Sequence, residues 1–140
     1  MEAAGLHSII LGYDGSEGAT EAAKLAADIA RANSARVVVV TCFSPLPRIA
    51  APGDDVVREI HESRALADEM VERLGSWGVE SEPDVLEGPA AEAILNAANA
   101  HEADLIVVGS RGLGQFRGLL LGSVSDRVVR YASVPVLVAR

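Results

Sequence analysis

"ADLIVVGSRGLGQFRGLLLGSVSDRVVRYASVPVLVAR", residues 103–140, is where the fold is decided. It joins an apolar run, a glycine-rich connection, a segment at helical spacing and a second apolar run. The runs, "DLIVVG" at Asp104–Gly109 and "VPVLVA" at Val134–Ala139, are continuous and β-branched rather than alternating. Such strands are buried on both faces, as in a parallel sheet covered by helices. Two similar runs lie upstream, "SIILGY" at Ser8–Tyr13 and "RVVVVTCF" at Arg36–Phe43. A weaker fifth, "ESEPDVLE" at Glu80–Glu87, contains Pro83, which has no N–H for a ladder. It is expected at a sheet edge.

Helical patterns separate the runs. Ser16–Ala32 is alanine-rich, with Ser16 placed as its cap and Glu17 in its first turn. In Asp54–Trp77, the residues Val56, Ile60, Ser63, Ala67, Met70, Leu74 and Trp77 fall at alternating steps of four and three. They form one helix face, with Trp77 read as core, and Gly78 stops the helix. Ala90–His101 follows Pro89, a good first-turn residue, and Ser123–Ala132 comes last. Ser44–Asp55, with three prolines, is the one long loop. The order β-α-β-α-β-α-β-α-β predicts one doubly wound, Rossmann-like α/β domain over residues 1–140, with helices on both faces of a parallel sheet. In such sheets ligands sit beyond the strand carboxyl ends, where the strand order reverses. With strand one central, that point falls between "LGYDGS" and "VVGSRG".

Composition narrows the ligand. The chain has 140 residues, 49 % of them hydrophobic, and a mean hydropathy of +0.24, which argues against disorder. No apolar run approaches the ~20 residues of a membrane helix. "MEAAGLHSII" has an acid where a signal peptide has bases, so a cytoplasmic location is expected. One cysteine, Cys42, excludes a disulfide framework within the chain and a cysteine-based zinc site. Twelve Lys and Arg against 20 Asp and Glu leave a charge of −8, which opposes nonspecific nucleic-acid binding. An anionic ligand would need donors placed locally, against the global field.

The glycine-rich connection has two readings on spacing alone, a structural turn or a phosphate cradle. Glycine permits close approach to the main chain. Gly122 and Ser123 open the last helix, whose free N–H groups attract anions, and Ser123 and Ser125 add hydroxyls. A GxxxxGK[ST] loop is missing, as is a GxGxxG after the first strand, so a P-loop ATPase, a kinase and a dehydrogenase are not expected.

The spacing Gly109, two residues, Gly112, nine residues, Gly122, Ser123 resembles the G-2x-G-9x-G-[S/T] motif of ATP-binding universal stress proteins. The resemblance runs along the chain through "GYDGSEGATEAAKLAADIA", "EGPAAEAI", "ADLIVVGSRG" and "GSVSDRVVRYASVPVLVAR". It implies the strand order 3-2-1-4-5, of the adenine nucleotide alpha-hydrolase-like kind, and ATP between strands one and four. By position it implies Asp14 on the ribose hydroxyls, Gly12 lining the nucleoside pocket, and Cys42 offering backbone groups to adenine. Gly109 and Gly112 would pass close to ribose and phosphates, and Gly122, Ser123 and Val124 would contact the phosphates. A magnesium or manganese ion would accompany them, with no metal-binding side chain assigned. The function implied is nucleotide-dependent regulation in a stress response, with slow hydrolysis at most. A genuine ATPase or phosphotransferase, and a partner-binding module without nucleotide, are the alternatives.

Individual residues have plainer readings too. Asp14 before Gly15 suits a turn cap, Cys42 a packed thiol, and His7, His61 and His101 share no ligand spacing. Arg111 and Arg117 read equally as solvated charges and as phosphate contacts. The leucines of "RGLLLG" suit a tucked segment or a partner chain. In the implied order strands three and five are the edges. Strand three is blunted by Pro83 and by Glu80, Glu82 and Asp84, whereas after Pro135 strand five is uncharged until Arg140. A homodimer through Val134–Arg140 is therefore expected, as the resemblance also implies.

Overall fold

The computed structural model describes residues 5–44, 52–110 and 121–140, with residues 52–55 by their backbone alone. Its elements are β1 (Ser8–Gly12), α1 (Glu17–Asn33), β2 (Arg36–Phe43), α2 (Pro52–Ser76), β3 (Ser81–Glu87), α3 (Ala90–Ala100), β4 (Leu105–Gly109), α4 (Ser123–Tyr131) and β5 (Val136–Ala139). All pairings are parallel and the sheet order is β3-β2-β1-β4-β5, as expected. Two boundaries differ from the sequence reading by two residues, and the others by one at most. α2 begins at Pro52, the last proline of the presumed loop, because a first-turn residue needs no donor. β5 begins only at Val136.

Alternation along each strand divides the core in two. Ile9, Leu11, Val37, Val39 and Val107 pack beneath α1 and α2, while Ile10, Val38, Val40, Ile106 and Val108 pack beneath α3 and α4. α1 turns six alanines inward, Ala19, Ala22, Ala23, Ala26, Ala27 and Ala30, so it lies close to the sheet. Its start is capped by Ser16, whose Oγ accepts the Ala19 N–H at 3.1 Å. The apolar stripe of α2 is buried only in part. Ala67, Met70 and Leu74 are fully buried, but Ile60 is 38 % exposed and Val56 only half-buried. Trp77 follows α2, is half-buried against the core, and has the Arg73 guanidinium over its ring.

The edge position of β3 is confirmed, with Pro83 opposite Val39 on its one partner. The α3 side of β3 carries carboxylates. His101, ending α3, meets Asp84 at 2.9 Å and Glu82 at 3.6 Å, and Arg36 reaches Glu82 at 3.4 Å. These charges suit a strand that must not recruit another sheet.

At the amino end of the sheet, Asp104 joins β4 to β1. Its Oδ2 accepts the N–H groups of His7 (2.8 Å) and Ser8 (3.0 Å), and these two bonds hold its carboxyl below the usual range. Replacing Asp104 with Ala should cost about 1 kcal/mol after allowance for solvent screening. A depressed carboxyl pKa contributes stability above pH ~4 that fades as pH falls through the folded value. Urea denaturation across that range should show the acid-side loss in the wild type and a smaller one in Asp104→Ala.

Candidate functional site

Beyond the carboxyl ends of β1, β2 and β4 the structure forms a cavity of about 520 Å³. This is the reversal point of the strand order, and the size falls in the ~300–1,000 Å³ range of small-ligand sites. Gly12, Asp14, Cys42, Gly109, Gly122, Ser123, Val124 and Ser125 all line it. Arg111, Gly112 and Arg117 lie outside the described residues.

Two of these glycines owe their identity first to packing. A Cβ on Gly109 would lie 2.7 Å from the Gly18 carbonyl carbon and 3.1 Å from the Ala19 nitrogen, backbone atoms that have nowhere to go. On Gly12 it would meet Ile94 Cδ1 at 2.7 Å. The first close approach brings the start of α1, with Asp14 and Ser16, up to the end of β4. Asp14 is exposed, and its Oδ1 accepts the Ser16 N–H at 2.9 Å. The turn-capping role is thus present. Among the described residues Oδ2 takes no hydrogen bond, so the same carboxylate retains an acceptor for a ligand.

Opposite Asp14, α4 opens with Gly122 as a cap that has no side chain to offer. The first N–H groups of a helix lack internal partners, and the positive end of the dipole lies with them. Here those groups belong to Ser123 and Val124, on the cavity wall. Ser125 has a different role from the one expected. It is 2 % exposed, and its Oγ lies 2.9 Å from the Ser110 carbonyl oxygen and 3.1 Å from that of Gly122. Its one proton is spent on backbone. With the Gly122 N–H also donated to Ser110, Ser125 staples α4 to the end of β4, leaving Ser123 with the open hydroxyl.

The third wall comes from β2 and α2. Thr41 Oγ1 donates to the Ser63 carbonyl (3.0 Å), and Ser63 Oγ donates to the Cys42 carbonyl (3.2 Å). Leu66 and Ile94 add apolar surface. Burial first, and then the charge of Asp84, push the Cys42 thiol up to about 11, so it is neutral at ordinary pH. This suits a packed thiol. Sequence reasoning missed Thr41 as a site residue and read Ser63 only as part of an apolar face. A hydroxyl at a core position of that stripe was the available signal. Among the described residues no group of three or more His, Cys, Asp or Glu could hold a metal ion.

A model of the universal stress protein family matches residues 5–140. The chain belongs to that family. Among curated universal stress proteins, one from Thermus aquaticus, in the 3′ region of QAH/OAS sulfhydrylase, is 43 % identical over 136 residues, covering 95 % of this chain and 98 % of its own. The solved universal stress protein UspA from Lactobacillus plantarum superposes with a TM-score of 0.87 over 99 % of this chain and 100 % of its own, at 21 % identity, a likeness of fold. A universal stress protein crystallised in complex with cAMP gives 0.79 at 28 % identity, covering 98 % and 99 %.

Within this family member, Gly109→Ala is expected to shift the first turn of α1 and to destabilise by about 1–3 kcal/mol, the usual cost of overpacking. The urea midpoint should fall accordingly. A wild-type midpoint would show that the contact with Gly18 relaxes freely.

Proposed function

We propose that this universal stress protein binds ATP and acts as a nucleotide-dependent regulator. One observation carries the reading: Asp14 and the uncapped start of α4 line the same cavity. A nucleoside triphosphate needs an acceptor for its sugar hydroxyls and donors for its phosphates, and these two walls supply them. In this assignment Asp14 Oδ2 accepts from the ribose, while the Ser123 and Val124 N–H groups and the Ser123 hydroxyl donate to phosphate. Gly122 leaves room for the phosphates, and Gly12, Cys42 and Gly109 bound the nucleoside. Arg111 and Gly112 belong to the phosphate side by sequence position. Magnesium or manganese would enter as a counter-ion of the phosphates. The cAMP complex of a 28 % identical relative supports an adenine nucleotide as the ligand.

Binding rather than turnover fits the lining. Among its described residues the ionisable side chains are Tyr13, Asp14 and Cys42, with Cys42 held neutral and Asp14 assigned to the sugar. No lysine or second carboxylate is available from them to move a proton at a phosphate. ATP at ~100 times its dissociation constant should stabilise the fold by about 2.7 kcal/mol, a melting shift of roughly 5–10 °C. Gly122→Val should remove the shift while the apo protein still melts cooperatively. Phosphate release with magnesium should stay far below the ~1–100 s⁻¹ of kinases. An unchanged ATP response in Gly122→Val would place the ligand elsewhere.

The same reading includes a homodimer through β5. The carbonyls of Pro135 and Ala139 accept from Ile106 (3.0 Å) and Ser110 (2.7 Å) of the β4 side. By alternation Val136 and Val138 turn their backbone groups to the open edge. Leu137 packs on the core, so substituting it would disturb the monomer as well. Val138→Pro removes an outward N–H, as edge strands tolerate, and trims a half-buried side chain from the α3–α4 side of the core, so the variant should still melt cooperatively at a lower midpoint. Sedimentation should show a wild-type dimer and a Val138→Pro monomer; a wild-type monomer at tens of micromolar would refute the pairing.

A further inference from the structure

The hydroxyl groups around the cavity differ in where their single protons go. A hydroxyl has one donor and two acceptor lone pairs, and a carbonyl oxygen only accepts. Thr41 Oγ1 and Ser63 Oγ both bond to carbonyl oxygens, at 3.0 and 3.2 Å, so both have spent their protons on backbone. Both residues line the cavity, and both are buried, Thr41 2 % and Ser63 8 % exposed. What remains to a ligand at this wall is a set of lone pairs on Thr41 Oγ1, Ser63 Oγ and the Cys42 carbonyl. The opposite side is reversed in character. Ser16 Oγ accepts the Ala19 N–H and so keeps its proton to give, and the start of α4 offers N–H groups.

The geometry points to Thr41 and Ser63 as the specificity-determining residues of the nucleotide site. Their side chains make the β2–α2 wall an acceptor surface that selects a base with an exocyclic amine over one with an oxo group at the same place. An amine brought to this wall donates into the lone pairs. An oxo group faces them with lone pairs of its own and leaves buried acceptors unmatched. Polar sites reject a mismatched isostere more sharply than apolar pockets do, because a buried group is left without its partner. The wall's position is also held by these residues. Beyond Ser63 the apolar stripe of α2 thins, with Ile60 exposed and Val56 only half-buried, so the bonds from Thr41 to the Ser63 carbonyl and from Ser63 to the Cys42 carbonyl supplement packing at that height. The inference rests on the nucleotide reading above.

Competition between ATP and inosine triphosphate is the direct test, since the two differ at the 6-amino or 6-oxo position and in the N1 proton. The wild type should favour ATP by roughly tenfold or more. Thr41→Val and Ser63→Ala should each shrink that ratio, and together bring it towards parity. Ser63→Thr keeps a hydroxyl and should keep the preference. A purely structural role would weaken both nucleotides alike and leave their ratio unchanged. That result would overturn the proposal, as would equal binding of the two nucleotides by the wild type. Neither outcome touches the nucleotide reading. Failure of the wild type to bind either nucleotide would remove that reading and this inference together.

Discussion

Where β4 ends, Gly109 lies so close to the backbone of Gly18 that a single added carbon would strike it. Most of the site follows from that contact. It is available because α1 presents alanines rather than longer side chains to the sheet, so helix and strand approach without spacers. The start of α1 is thereby brought to the β1–β4 boundary, with the turn that holds Asp14 and the cap that uses Ser16. A larger residue at Gly109 or at the inward alanines would lift α1 and open the cavity on the side of the carboxylate. Packing density and site geometry are here one constraint. Interiors this close-packed have little slack to absorb an extra methylene.

Around that contact, polarity is set by how a few hydroxyls dispose of their protons. Ser125 closes α4 onto Ser110, while Thr41 and Ser63 lock the end of β2 to α2. Ser16 caps α1 and so quiets the nearest competing helix start. α4 has no such cap. Among these two helices the attraction for an anion is therefore concentrated at one end. In a chain of net charge −8, any anionic ligand would have to be held by such local donors, because the long-range field repels it.

The two edges of the sheet are treated differently. β3 carries a proline and a charged cluster of Glu82, Asp84, His101 and Arg36. β5 is short, uncharged from Val136 to Ala139, and half-buried over most of its length. The edge with costly charges is closed to pairing, and the apolar one is left available. Asp104 adds a tie at the amino end of the sheet, at the end away from the cavity.

Much of this was legible in the residues themselves. Continuous β-branched runs and a helical stripe are local, periodic signals, and they placed every strand and helix to within a few positions. Pro83 announced an edge because a missing N–H has the same meaning in any sheet. The glycine spacing with Asp14 located the cavity through family resemblance, and the described members of that set do line it. The hydrogen-bond partners were not legible. Ser125 and Ser123 look alike in sequence, yet one reaches a carbonyl fifteen residues away and the other faces open space. Thr41 and Ser63 find each other across 22 residues, and Ser63 finds Cys42 across 21. Hydrophobic pattern depends on spacing along the chain, which a sequence displays. The fate of a single proton depends on which carbonyl stands about 3 Å away, and only the assembled structure decides that.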